Sequence, residues 1–217
     1  MRARAALCLT ALLCITLPAA QAQAQAQPEE DRAELRAFLE STIASSDSFS
    51  DRFAAEVWLV DMSTRLEPFV RDEAARLELL RQIHAAASSA DLPPELVLSL
   101  IEVESAFDRF AVSRVGAQGL MQVMPFWRLE IGRDQDNLTD PETNIRYGTT
   151  ILAHYMDRAD GDLVDALGRY NGSRGKLWYP ELVLTAWRRD WRNKSWGELP
   201  ALRTSCSNYP LKACLYQ

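Results

Sequence analysis

Histidine is almost missing from this chain: His84 and His154 are the two in 217 residues. Both fall inside helical patterns, so a Ser-His or Cys-His mechanism has little to stand on. Cysteine is nearly as scarce, and two of the four lie in the first apolar run. No cluster of His, Cys, Asp and Glu has metal-ligand spacing, and no cofactor is indicated. Basic charge is in deficit, 24 Lys and Arg against 30 Asp and Glu, for a net charge of −6. Bulk electrostatics therefore give no reason to expect nucleic-acid binding. Alternation of the kind strands show is also scarce, and the N-terminal apolar run is too short to span a bilayer comfortably. What remains is a mostly helical chain.

Met1 to about Ala22 reads as an export signal: Arg2 and Arg4 open it, Ala5 to Leu17 form an apolar core, and Ala20-Gln21-Ala22 is a small-x-small cleavage site. Cleavage after Ala24 or Ala26 fits equally well. Leu13 is too bulky for Cys14 to follow as a lipidation site, so a free, exported protein is expected. Losing Arg2 and Arg4 takes the net charge from −6 to −8. In an oxidising compartment Cys206 and Cys214 are close enough in sequence to close a small loop; a local disulfide is the expectation and two free thiols the alternative.

Residues 23–30 form a polar linker, and 31–90 a helical extension without a chemical motif. Asp31 to Ile43 carries Leu35, Phe38, Leu39 and Ile43 on one stripe. Helices follow at Phe49 to Met62, with Phe53, Val57 and Val60 on the expected buried face, and at Asp72 to Ser88, with Leu77, Leu80 and Ile83.

The densest chemistry lies between Pro94 and Gln122. Pro94 to Ser105 is a helix opened by proline, with Leu96, Val97, Leu100, Ile101 and Val103 on one side. Glu104 projects into the middle of that side, whereas Glu102 points to an expected solvated face. A poorly solvated carboxylate has a raised pKa and stays protonated near neutral pH, as a general acid must. The alternative is an ordinary carboxylate at the edge of the stripe, held by an arginine or by helix-start N–H groups. An irregular connection from Ala106 to Ser113 leads to Gly116-Ala117-Gln118-Gly119-Leu120-Met121-Gln122, in which a sugar hydroxyl or acetamido group would partner the Gln122 amide.

Further on, Phe126 to Ile131 is a short helix, and Asp140 or Thr139 caps a longer one opened by Pro141. Ile145, Gly148, Ile151, Leu152, Tyr155 and Met156 make its stripe, with Gly148 expected to admit a neighbouring helix. The helix Asp162 to Tyr170 stops at Asn171-Gly172. A last helix opens at Pro180 and carries Val183, Ala186, Trp187 and Trp191 on one side, with Arg188, Arg189 and Arg192 among its polar positions. Those arginines form a solvated face or contact peptide carboxylates. Trp178 and Tyr179 either stack on a sugar or pack in the core. Residues 193–217 read as a tail.

Glu104-Ser105, Ser113, Gly119-Leu120-Met121-Gln122 with Met124-Pro125, Asp140-Pro141-Glu142-Thr143-Asn144-Ile145 and Tyr170-Asn171, in that order, resemble the catalytic domain of the soluble lytic murein transglycosylases, relatives of goose-type lysozyme. The resemblance covers roughly Leu92 to Trp191. It implies a mainly α, lysozyme-like domain, set at residues 91–192, with at most a short β-hairpin between Phe107 and Gly119. It implies action on peptidoglycan glycan strands in the periplasm, through cleavage of the β-1,4 bond between N-acetylmuramic acid and N-acetylglucosamine. Glu104 is then the acid and afterwards the base, Ser113 and Gln122 orient substrate, Met121 lines the groove, and Tyr170 and Asn171 hold the acid and the sugar. Arg169 and Gly172-Ser173-Arg174-Gly175 depart from the family's usual residues, which bears on subsite details. A hydrolytic muramidase and a non-catalytic murein-binding assembly factor are the alternatives. The sequons at Asn137, Asn171 and Asn193 are accidental on this reading.

Overall fold

A computed structural model describes residues 52–192. The export signal, the linker, the helix expected at Asp31 to Ile43, the tail, and Cys206 with Cys214 lie outside the described residues.

The first described helix, α1 (Arg52–Leu66), packs on the face opposite to the one expected. Phe53, Val57 and Val60 are exposed, at 75%, 41% and 47%, while Ala55, Trp58, Leu59, Met62 and Leu66 are buried. Both faces of this helix are apolar, and the one carrying the indole has more area to remove from water. A polar anchor adds to it, since Trp58 Nε1 donates to Glu95 Oε1 at 2.8 Å. Helix α2 (Glu73–Ser89) starts where the Asp72 side chain accepts from the Ala75 N–H, and it buries Leu77, Leu80 and Ile83 as its spacing predicts.

Helix α3 (Pro94–Ser105) lies against α2 and against the C-terminal helical segment described below. Six consecutive residues, Leu96 to Ile101, are buried. The single stripe expected from sequence is therefore too narrow: Leu98 and Ser99, off that stripe, have no exposed surface either. A helix covered on every side is a core helix, and the rest of the domain is assembled around it. It ends in two left-handed residues, Ala106 at φ 49° and Phe107 at φ 64°.

Residues 106–126 contain two isolated antiparallel bridges, Val112 with Gln118 and Gln118 with Val123, and among the described residues no strand forms. Helix α4 (Trp127–Ile131) is one short turn. Helix α5 (Pro141–Arg158) begins at the Asp140 cap, which accepts from Thr143 N–H at 3.0 Å, and α6 (Leu163–Tyr170) begins at Asp162. Helix α7 (Trp178–Ala186) runs on into a π-helical turn, Trp187–Trp191. There the fully buried Trp191 packs on Phe107 at 5.5 Å and donates to Glu102 Oε2 at 2.6 Å. Among the described residues no helix is long and apolar enough to cross a membrane.

Helix α5 fixes the segment that follows the bridges. Asn144 is fully buried; its Oδ1 accepts from the Met121 N–H at 2.7 Å, and its Nδ2 donates to the carbonyls of Gln118 and Leu138, both at 2.8 Å. Gly119 sits at φ +75°, where an added Cβ would lie 2.3 Å from the Leu138 carbonyl oxygen. Gly148 was expected to admit another helix. It instead admits Met121, whose sulfur would be 2.4 Å from an added Cβ.

Asn144→Leu strands three buried backbone groups and is expected to destabilise the protein by about 2–4 kcal/mol. Gly119→Ala combines a left-handed backbone with a backbone clash and should destabilise by more than about 2 kcal/mol, both read from urea midpoints.

Candidate active site

Glu104 lies in the last turn of α3, one turn beyond the buried Ile101 and two beyond Val97. The apolar stripe that packs the helix thus delivers a carboxylate into a partly covered position. Burial pushes its pKa up to about 7, against a smaller opposing effect from one hydrogen bond. That bond is 2.5 Å long and is donated by the Tyr179 hydroxyl to Glu104 Oε1. Among the described residues Oε2 receives no donor, so one oxygen is held and the other is available to them.

The tyrosine hydrogen-bonded to the acid is therefore Tyr179 and not Tyr170. Tyr170, expected to hold Glu104, donates its hydroxyl to the Met121 carbonyl at 2.8 Å. Burial and then the negative charge of Glu104 hold both hydroxyls protonated, well above the usual tyrosine range. Tyr170 is thus near the acid electrostatically while bonded to the neighbouring loop. The choice between stacking and packing also divides: Tyr179 is 1% exposed, while Trp178 is 51% exposed with its ring edge-on to Tyr179 at 5.7 Å. Tyr179 had one signal in the sequence, an aromatic hydroxyl at the start of an apolar helix, and nothing local pointed it at Glu104.

The Leu120-Met121-Gln122 backbone is held from three helices. Ser105 of α3 donates to the Leu120 carbonyl at 2.8 Å, Asn144 of α5 accepts from Met121 N–H, and Tyr170 of α6 takes the Met121 carbonyl. Gln122 adopts φ 47°, and its Nε2 donates to the carbonyls of Ala111 and Gly119 at 3.1 and 3.0 Å. Its amide is engaged by backbone on its donor side. Met121, expected to line a groove, has no exposed surface, because Gly148 lets it sink against α5. Ser113 accepts from the Ala117 N–H at 3.0 Å within its own turn, and Asn171 is an exposed C-cap of α6; neither makes a hydrogen bond to Glu104.

Neither nearby carboxylate pairs with Glu104. Glu102, expected on a solvated face, is only 15% exposed in its side chain and is occupied by Trp191 and by Arg189 at 3.1 Å. Asp108 lies in the exposed loop, where Oδ1 caps the Phe110 N–H at 2.9 Å. Burial pushes His84 down to about 4, which leaves it neutral against the Trp58 ring. Among the described residues no group of three or more His, Cys, Asp or Glu is arranged to hold a metal.

Residues 81–181 match the profile of the transglycosylase SLT domain. Through this segment, 101 of the 217 residues, the chain is similar to the transglycosylase SLT family. The SLT match begins inside α2, where the sequence reading set the boundary at residue 91, and ends inside α7. Over 96 residues the chain is 38% identical to the transglycosylase of Enterobacteria phage PRD1, covering 44% of this chain and 35% of the phage protein. It is 32% identical over 142 residues to membrane-bound lytic murein transglycosylase C of Photorhabdus laumondii, covering 56% and 38%. Against the soluble lytic murein transglycosylase of Escherichia coli K12 it is 27% identical over 123 residues, covering 53% and 17%. The matched stretch of the SLT domain thus spans well under half of each relative.

The raised pKa of Glu104 carries a stability cost with a definite sign. Between the unfolded value near 4.5 and the folded value of about 7 the native state binds the extra proton, so stability falls as pH rises through that window. Glu104→Gln should match the wild type at pH 4 and exceed it at pH 8 by on the order of 2–3 kcal/mol, measured by urea unfolding at both pH values.

Proposed function

We propose that the protein is an exported lytic transglycosylase of peptidoglycan, acting in the periplasm on the β-1,4 bond between N-acetylmuramic acid and N-acetylglucosamine. The observation that carries the reading is a carboxylate, Glu104, kept protonatable near neutral pH at the end of α3, with one oxygen on Tyr179 and the other, among the described residues, unengaged. Glycoside hydrolysis ordinarily employs two carboxylates flanking the bond. Here Glu102 is committed to Trp191 and Arg189, and Asp108 to a loop turn. A mechanism that needs one carboxylate suits this arrangement better. Glu104 gives its proton to the glycosidic oxygen as the bond to C1 breaks. The substrate's own acetamido oxygen stabilises the electron-poor C1. The Glu104 carboxylate then takes the proton from the 6-hydroxyl, whose oxygen bonds to C1, giving a 1,6-anhydro sugar without consuming water.

The names of the relatives and the export signal read from the sequence support this substrate and compartment. The positions of Ser105, Asn144 and Tyr170 support a positioning role, since together they set the loop that carries Gln122 beside the acid's helix. Ser113, Gln122 and Asn171 are assigned to the substrate, with Tyr179 added as the group that holds Glu104.

Murein sacculi incubated with the wild type should release anhydro-muropeptides, identified by mass spectrometry, whereas Glu104→Gln should lose at least about 10²-fold in rate. Reducing-end products would make the protein a hydrolytic muramidase, and tight sacculus binding without products a murein-binding factor. Tyr179→Phe removes the bond that lowers the Glu104 pKa, so the alkaline limb of kcat/KM, expected near pH 7 in the wild type, should move to higher pH.

A further inference from the structure

We propose that Glu102 and Trp191 are positioning residues for the acid: their hydrogen bond, which the π-helical turn makes possible, keeps α7 in the register that holds the Tyr179 hydroxyl on Glu104. The consequence for turnover rests on the transglycosylase reading; the geometry does not.

Two residues apart on α3, Glu102 and Glu104 project about 200° apart, to opposite sides of the helix. Glu104 meets Tyr179 at the start of α7, and Glu102 meets Trp191 at the end of the π turn, at 2.5 and 2.6 Å. Along a helix axis those two partners are separated by at most about 18 Å. The last helical segment therefore lies across the C-terminal turn of α3 and grips it from both sides. One grip alone would leave the segment free to roll or slide about that point; the second fixes its register.

The periodicity of the segment shows how the second grip is made. Tyr179, Val183 and Ala186 follow one line on α7 at i, i+4 and i+7, and all three are buried. In a regular α-helix Asp190 would come next on that line, at i+11. The π turn takes up one extra residue, so Trp191 arrives there instead with no exposed surface, and the Asp190 side chain is left 32% exposed. Such turns are rare, and this is the one among the described residues. Its end is secured from elsewhere: Arg65 of α1 donates to the Asp190 and Arg192 carbonyls at 2.8 and 3.2 Å, and Phe107 packs on the Trp191 ring. The outcome is one indole N–H delivered to Glu102.

The titratable groups facing Glu104 are Tyr179 of α7 and Tyr170 of α6. Glu102, on its own helix, is turned to Arg189 of the π turn, and Asp108 of the following loop caps the Phe110 N–H. Among the described residues Tyr179 alone donates to Glu104, so a change of register acts on the acid through that bond. Loosening it withdraws support from the carboxylate and raises the pKa of the acid further.

The test measures the pH dependence of kcat/KM on solubilised glycan strands for the full chain and its variants. Trp191→Phe keeps a ring in the core and removes the N–H; its alkaline limb should move to higher pH, in the direction of Tyr179→Phe and no further, and should move no more in a Tyr179→Phe background. Glu102→Gln keeps an acceptor oxygen for the indole and should hold the wild-type limb, whereas Glu102→Leu should move it as Trp191→Phe does. A Trp191→Phe limb at the wild-type position, an additive shift in the double variant, or a Glu102→Gln limb that moves with Glu102→Leu would overturn the proposal, whatever the loss of stability. Should Trp191→Phe fail to fold, the two Glu102 variants carry the same decision. A wild type that cleaves no strands would refute the transglycosylase reading, and titration of the Glu104 carboxyl by carbon NMR then decides the clamp. The same pattern of shifts in that titration supports it, and a Glu104 pKa unchanged in Trp191→Phe and Glu102→Leu rejects it.

Discussion

The backbone of Gly119 to Gln122 runs through the interior without the regular ladder that would satisfy its polar groups, and the domain is arranged to satisfy them. Asn144 alone supplies three hydrogen bonds from a fully buried position. Ser105 and Tyr170 supply one each, from two other helices. Each of these polar side chains sits at a place where packing is otherwise apolar, and each would be expensive without its backbone partner. The helices α3, α5 and α6 are thereby fixed relative to one loop, and through it to one another. Gly119 and Gly148 complete the arrangement by removing side chains where the loop and Met121 approach.

Glu104 depends on that framework. A carboxylate with a pKa of about 7 is a local weakness, because its charged form is poorly solvated, and it persists only where surrounding contacts over-determine the helix that carries it. Those contacts are on both sides of α3. One side is the apolar face with Leu96, Val97, Leu100 and Ile101; the other is the Glu102 anchor, into which Trp191 and Arg189 are tied, backed by Phe107 on the Trp191 ring. Two glutamates two residues apart thus have opposite tasks. Glu102 is neutralised by partners and holds the C-terminal helical segment in place, while Glu104 is left, among the described residues, with a phenol on one oxygen and no donor on the other.

The C-terminal helical segment serves the acid in the same way. Tyr179 lies in the core by area and in the site by its hydroxyl, an amphipathic use of one ring. The π-helical turn at Trp187–Trp191 follows, and it places Trp191 over Phe107 while the Arg65 Nη1 donor reaches the Asp190 carbonyl at 2.8 Å.

Local rules in the sequence determined where most helices run. Proline at Pro94 and Pro141, the caps Asp72, Asp140 and Asp162, and apolar spacing over Leu77 to Ile83 are short-range signals, and short-range hydrogen bonding and burial act on them directly. The position of Glu104 on a buried face was legible for the same reason, as an azimuth on one helix. Tertiary structure alone decided the rest. Which of the two apolar faces of α1 turns inward depends on Trp58 finding Glu95, 37 residues away. Whether Glu102 is solvated depends on Trp191, 89 residues on, and which tyrosine meets Glu104 depends on a contact across 75 residues. Periodicity reports what a residue faces along its own helix. It carries no information about which distant side chain arrives there, and in this protein the choice between an ordinary carboxylate and a candidate acid is made by those arrivals.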